Sequence, residues 1–384
     1  MDSATPPETL QQLSEDLDVY TRVKVGENEK TPLPALQKLA KDKDLYVREA
    51  VAKNPSATPE ILDSLVVQEP VNPENKEKEE QEDITIIKKA VAENPKTSTQ
   101  TLLRLAGENS EILLGVASHP NTPIEILQKL SQHKEVQIRE AVAENKNTPL
   151  DILIKMISDE SEWVRASIAR NAKTPLEYLE KLSDDKSNKV KQYCLESKRK
   201  IAQKTDLTEK EIDSLSNDKD VNIRKLMAAH ENISEFTLQV LSKDSDSTVR
   251  EAVAGNAKTP RYILDDMASD ASPFVKDRVS ANPKTSPEKL ELLSKEGGER
   301  KRWIATNSNT PEKILISLSF ERAKSVREAV AKNPKTPQGA LAKLLLDEDS
   351  EVRKAAASNP RTPPKQMAIE KAKEFIQQWQ DSLK

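Results

Sequence analysis

The chain has 384 residues, of which 32% are charged and only 3% aromatic, and its formal net charge is -4. That is poor material for one large globular core and suits many thin, similar layers, each burying a little aliphatic surface against its neighbours. A single cysteine, Cys194, excludes an internal disulfide and a cysteine-held zinc or iron–sulfur site, and the acidic balance argues against a generally nucleic-acid-binding surface.

The start, MDSATPPETL, lacks a basic segment followed by an apolar run, and no window approaches about eighteen apolar residues. The expectation is a cytoplasmic protein with no membrane span. A first repeat opens at Thr5-Pro6, and from there one pattern recurs: VREAVAKNPSATP from Val47, IREAVAENKNTP from Ile138, VREAVAGNAKTP from Val249 and VREAVAKNPKTP from Val326.

The Asn that follows the apolar run marks the phase. Its equivalents are Asn28, Asn54, Asn94, His119, Asn145, Asn171, Ser197, His230, Asn256, Asn282, Asn307, Asn333 and Asn359. The spacing is 26 residues with two steps of 25, and only the steps of 40 after Asn54 and 33 after Ser197 are longer. Thirteen units at this period predict an all-α solenoid over residues 1–364.

Each unit carries two helical patterns. In KNTPLDILIKMI, Thr148 suits an N-cap, Pro149 the first helical position and Asp151 the first turn, with Ile152, Leu153 and Met156 on one face. Thr174 and Glu177 have capping-box spacing. In the second pattern Val326, Ala329, Val330 and Ala331 form an apolar stripe whose alanines allow close stacking. Asn333 then suits a left-handed C-terminal cap, Pro334 forbids continuation, and Thr336-Pro337 starts the next helix.

Cap, core and breaker recur together as VREAVAxNPxTPxxxLxxLxxD, and this resembles the variant leucine-rich repeat family from about Thr5 to Pro363. The resemblance implies a right-handed superhelix of paired helices, one α and one short and 3₁₀-like; with repeats slightly longer than the family's, the second helix could equally be α, as in HEAT-type solenoids. The iron–sulfur cluster that some members carry ahead of their repeats is not implied, because residues 1–30 contain no cysteine.

Three stretches break the pattern. QEPVNPENKEKEEQED, residues 68–83, reads as an acidic surface loop inserted after Asn54. Residues 197–210 form an irregular repeat in which the Asn-Pro exit is replaced by Ser197-Lys198-Arg199-Lys200 and the helix is free to run on. Residues 365–384 form a C-terminal capping helix with Ala368, Ala372, Phe375, Ile376, Trp379 and Leu383 on one face.

Charge follows the repeat as well. A base precedes the small-residue run in nearly every unit, and an acid stands six residues before it: Asp42 with Arg48, Asp159 with Arg165, Asp218 with Arg224, Asp244 with Arg250, Asp347 with Arg353 and Glu321 with Arg327. A pairing ladder within or between layers explains this better than a phosphate-binding row. Exposed pairs would each contribute only ~0–1 kcal/mol.

In this register Arg139 meets His133 and Lys301 meets Lys295, so both lack an acid. Basic residues with an aromatic at the pattern breaks form the candidate binding patch: Lys198, Arg199, Lys200 and Lys204, then Arg300, Lys301, Arg302 and Trp303.

The catalytic inventory is thin. The histidines are His119, His133 and His230, two of them in the Asn slot, where a polar cap suffices. No pair has metal-ligand spacing, no nucleophile sits in a recognisable context, and seven glycines provide no phosphate loop. Cys194 falls on the slot of Val330 and reads as a buried small hydrophobe.

These features predict a non-catalytic scaffold or adaptor without cofactor that binds protein partners. A nucleic-acid-binding helical-repeat protein on a DNA-glycosylase-like scaffold is the alternative, as is a HEAT-like pigment lyase or assembly chaperone.

Overall fold

The computed structural model describes residues 5–67 and 78–382, the side chains of 78–83 and 365–366 excepted. Every regular element among the described residues is an α-helix. The chain opens with α1 (Pro7–Leu13), α2 (Val19–Glu27), α3 (Leu33–Leu39), α4 (Leu45–Lys53), α5 (Pro59–Val67) and α6 (Lys78–Glu93). It continues with α7 (Thr99–Leu105), α8 (Ser110–Ser118), α9 (Ile124–Leu130), α10 (Val136–Glu144), α11 (Leu150–Met156) and α12 (Glu162–Arg170).

Next come α13 (Leu176–Ser183), α14 (Asn188–Ala202), α15 (Glu209–Ser216), α16 (Val221–Ala228), α17 (Glu235–Leu241) and α18 (Ser247–Gly255). There follow α19 (Arg261–Met267), α20 (Pro273–Ala281), α21 (Pro287–Ser294), α22 (Arg300–Thr306) and α23 (Glu312–Leu318). The last are α24 (Lys324–Lys332), α25 (Gln338–Leu344), α26 (Ser350–Ser358) and α27 (Lys365–Ser382). Both helices of each repeat are therefore α, which settles the expectation left open between α and 3₁₀.

The chain divides into two packed units, residues 1–197 and 198–384. In the first, α2, α4, α6, α8, α10 and α12 stack in order; in the second, α16, α18, α20, α22, α24 and α26 do the same. Small residues permit the close approach. A Cβ added at Gly26 would lie 2.9 Å from the Ala50 Cβ, and one at Gly115 would lie 2.9 Å from the Ala92 Cβ. The core is aliphatic, with Val51, Val91, Val142, Val253 and Val330 wholly buried at one repeat position. Cys194 is buried at the same position, as its phase implied.

Turn chemistry differs from the expectation in two respects. Asn333 is extended (φ -71, ψ 125), not left-handed, and among the described residues only Gly298 has positive φ. Its side chain explains the choice. The Asn333 amide donates back to Ala305 O (2.8 Å) and Asn307 O (3.0 Å) of the preceding repeat, while its Oδ1 accepts from Lys335 N (2.9 Å). A left-handed cap would satisfy only the helix's own carbonyls, whereas this geometry closes the turn and joins two layers.

The second difference concerns threonine. Thr148 is no N-cap: it is wholly buried, its hydroxyl donates to Val142 O at 2.6 Å, and Pro149 caps α11. Thr174 likewise donates to Ile168 O, with Pro175 at the cap of α13, so no capping box forms there. A capping box does form at Thr208 and Glu211, opening α15.

Where the repeat pattern breaks, the structure is again helical. Of the expected acidic loop 68–83, residues 68–77 lie outside the described residues, while 78–83 are helical and open α6. The helix expected to run on after Cys194 does so, and α14 spans fifteen residues. Ala368 and Ala372 of α27 pack on Ala342 of α25, and Phe375 and Trp379 stack on Phe320 with ring centroids 5.9 and 5.2 Å away. Leu383 lies outside the described residues.

Candidate functional site

The ladder of charges lies between repeats. Six arginines, Arg22, Arg139, Arg165, Arg224, Arg250 and Arg327, pair with the carboxylate twenty residues ahead and not with the one six residues behind. Arg139 takes Asp159, Arg165 takes Asp185, Arg224 takes Asp244, Arg250 takes Asp270 and Arg327 takes Asp347, each through two guanidinium nitrogens. Arg22 pairs with Asp42 in the same way. The acid six residues behind still takes part, through its main chain: Arg327 Nη1 donates to Glu321 O (3.0 Å) and Arg165 Nη1 to Asp159 O (2.7 Å).

Arg327 thus pairs with Asp347, not Glu321, because a side chain rising from the first turn of its helix reaches the next layer while its own loop presents carbonyls. Among the described residues, Arg48 bonds to Asp42 O and Lys43 O and Arg353 to Asp347 O and Glu348 O, carbonyls of their own loops.

This register accounts for the units that had no acid. Arg139 is paired after all, and Lys301 takes Glu321 at 2.5 Å. Lys276 meets Glu296 and Lys88 meets Glu108, pairs that the six-residue spacing hides. His133 needs no charge, since the base position of the preceding repeat is Leu113. Ladder arginines and aspartates are nearly buried, with side-chain exposures of 7% and 4% for Arg327 and Asp347. The guanidinium of Arg165 holds Asp185 below the usual carboxylate range against the opposing effect of burial, and Arg250 does the same for Asp270.

The same register decides the fate of the basic patch. In α14 the ladder base is Lys198, two helical turns beyond Lys191; it is buried and bonds Asp218 at 2.5 Å. Arg199 reaches Asp220 at 2.6 Å. Arg300 is buried between Asp277 (2.9 Å) and Glu296, and Lys301 is held by Glu321. Lys200, Lys204, Arg302 and Trp303 remain exposed, with the Arg302 guanidinium 5.4 Å from the Trp303 ring centre. Half the candidate residues are therefore spent on bonds between layers.

Of the aromatic residues the sequence singled out only Trp303, Phe375 and Trp379, and the others were missed. All twelve stand wholly or partly in solvent, and none is buried. Tyr20, Tyr46, Trp163 and Phe274 occupy one repeat position, eight residues before the phase residue, at 68%, 58%, 50% and 66% exposure. Their common spacing to the Asn was the signal available in the sequence. Around Trp163 the face is charged: Lys189 lies over its ring, Arg170 lies 5.0 Å from the Tyr193 ring centre, and Ser167 donates to Glu144 at 3.3 Å. Glu140 is pushed above the usual carboxylate range by burial and by Glu144.

The two units differ in charge: residues 1–197 carry 26 bases and 35 acids, residues 198–384 carry 34 and 29. No helix among the described residues is long and apolar enough to cross a membrane.

Residues 88–146 match the family model of the Leucine Rich Repeat Variant domain, in line with the resemblance of the repeat. Among solved structures, the chain is similar to one described as a leucine-rich repeat variant with a novel repetitive protein structural motif. The two are 20% identical over 71% of this chain and 85% of the other, with a TM-score of 0.28. No curated protein matches the chain.

Proposed function

We propose that the chain is a non-catalytic scaffold that binds another protein across the exposed flank of its stacked helices. The observation that carries this reading is the placement of the aromatics. A chain that builds its interior from Leu, Ile, Val and Ala leaves every Trp, Tyr and Phe on its surface, and these are the side chains that concentrate binding energy in protein interfaces. Tyr46, Trp163 and Phe274 stand at a position held by Gln137, Thr248 and Ser325 in other repeats. The scaffold positions repeat while the outward ones vary, which is how a fixed fold acquires specificity.

A nucleic-acid partner is less well supported, since Lys198, Arg199, Arg300 and Lys301 are already paired with carboxylates. The test is affinity capture from native extract, with and without nuclease, using the wild type and a variant carrying Tyr46→Ser, Trp163→Ser and Phe274→Ser. The expected result is a nuclease-resistant protein partner held by the wild type and lost by the variant. Bound material that vanishes on nuclease treatment, or a substrate turned over at a residue-dependent rate, would overturn the reading.

A further inference from the structure

We propose that the chain associates head to tail with itself, α26 of one copy receiving α2 of a second copy as the next helix of the stack. Three independent features of the two faces carry this.

The first is an open packing face on α26. Two residues before the phase residue, Ala52, Ala92, Ala143, Ala254, Ala305 and Ala331 are all fully buried, each on a helix packed against the following helix of the stack. Ala357, at the same position in α26, is exposed together with Arg353 and Lys354. A small residue at this slot lets a neighbouring helix approach closely, and among the described residues no helix covers Ala357.

The second is the charge ladder, which leaves complementary groups at the two faces. Arg353 has no carboxylate partner among the described residues, and twenty residues ahead of it stands Lys373. On α2's side, the Asp16 carboxylate accepts from Asp18 N at 2.8 Å and, among the described residues, pairs with no cation. Asp16 holds the position, relative to Asn28, that Asp159 and Asp347 hold in their own repeats when they receive Arg139 and Arg327. The bond a second copy would make is thus the one the chain already makes with itself from layer to layer.

The third is apolar surface at the acidic face. Leu17 is 97% exposed and Tyr20 68%. The equivalents of Leu17 in other repeats include Lys43, Lys134, Glu160, Lys219, Arg322 and Glu348, and none of the others is a large apolar residue, so the leucine stands apart. Lys24 stands where Ala50 and Gly115 stand further along. It is already paired with Glu27 at 2.7 Å, and Arg278 occupies the same slot within a close stack. The excess of acid in the first unit and of base in the second favours the same approach. A junction of this kind is heterologous and propagates from copy to copy.

The test is sedimentation velocity of the full chain over a wide concentration range at low salt, with Asp16→Arg and Arg353→Glu variants whose fold is checked by circular dichroism. The wild type is expected to rise above 42.9 kDa with concentration and each variant to weaken association by about tenfold or more. An equimolar mixture of the two is expected to recover it. The arginine introduced in one variant then faces the glutamate introduced in the other, and the Asp16 and Arg353 that each variant retains still face one another. A wild type that stays monomeric throughout, variants that associate as well as the wild type, or a mixture no better than its parts would each overturn the proposal. The outcome does not depend on any other partner, so it is separable from the scaffold reading.

Discussion

Asn333 serves two layers at once, and its removal should show how costly that is. Asn333→Ala leaves Ala305 O and Asn307 O, both in buried surroundings, without their shared donor and opens the turn at Lys335. The expected loss is about 2 kcal/mol by denaturant unfolding. His119 and His230 stand in the same slot and do the same work: His119 Nε2 faces Asn94 O at 2.8 Å and its Nδ1 accepts from Asn121 N.

The ladder invites a second substitution. Asp347→Ala would strand the buried Arg327 guanidinium and should cost about 3 kcal/mol, well above the ~0–1 kcal/mol of an exposed pair. Burial, the largest single influence, raises the Asp347 carboxyl, but the Arg327 bond, the Asp349 N–H and the charges of Arg327 and Lys343 together outweigh it, so its pKa lies below the ordinary 3.8. A depressed folded pKa means stability present above 3.8 and lost as pH falls through the folded value; Asp347→Ala should flatten that part of the acid-unfolding curve.

At the level of helices, the sequence pattern fixes where each element lies, because proline and asparagine punctuate every repeat and apolar residues recur at helical spacing. The partners of those punctuating side chains were not legible. Thr148 satisfies every formal condition for an N-cap, and nothing within one repeat reveals that its hydroxyl turns back to Val142 O. The acid six residues before each arginine is likewise a real periodicity. In a strict repeat, however, six behind and twenty ahead are the same position one unit apart, and the two 25-residue steps, where Lys88 finds Glu108 and Lys276 finds Glu296, separate them.

The candidate patch at 300–303 fails to assemble for the same reason: bases that look orphaned in one register are paired in the other. His119 offers a test at this scale. Burial lowers its pKa below 6.5, against the opposing bond to Asn94 O. The neutral ring is the form that fits, so stability should fall as pH drops below 6.5 toward the folded pKa. His119→Asn, restoring the common residue, should remove that pH dependence while leaving stability at pH 8 nearly unchanged, as followed by thermal unfolding at a series of pH values.

Across the whole molecule, stacked repeats exchange contacts mainly with their neighbours, so a local defect should stay local. In the second unit α26 rests on α24 and α24 on α22, and no bond described for Asp347 reaches beyond Arg327, Asp349 and Arg353. A globular core would share the loss of Asp347 among all its elements; a chain of layers passes it on only through successive interfaces, with the effect fading at each. Hydrogen exchange on Asp347→Ala should therefore show lost amide protection in α24, α25 and α26, less in α22, and wild-type protection in α4, α8 and α10. Combined with Asn145→Ala in the first unit, whose amide bonds Ala117 O and His119 O, the two losses should add, because the sites share no partner. Uniform loss of protection along the chain, or strong non-additivity, would show that the layers are coupled by more than nearest-neighbour stacking.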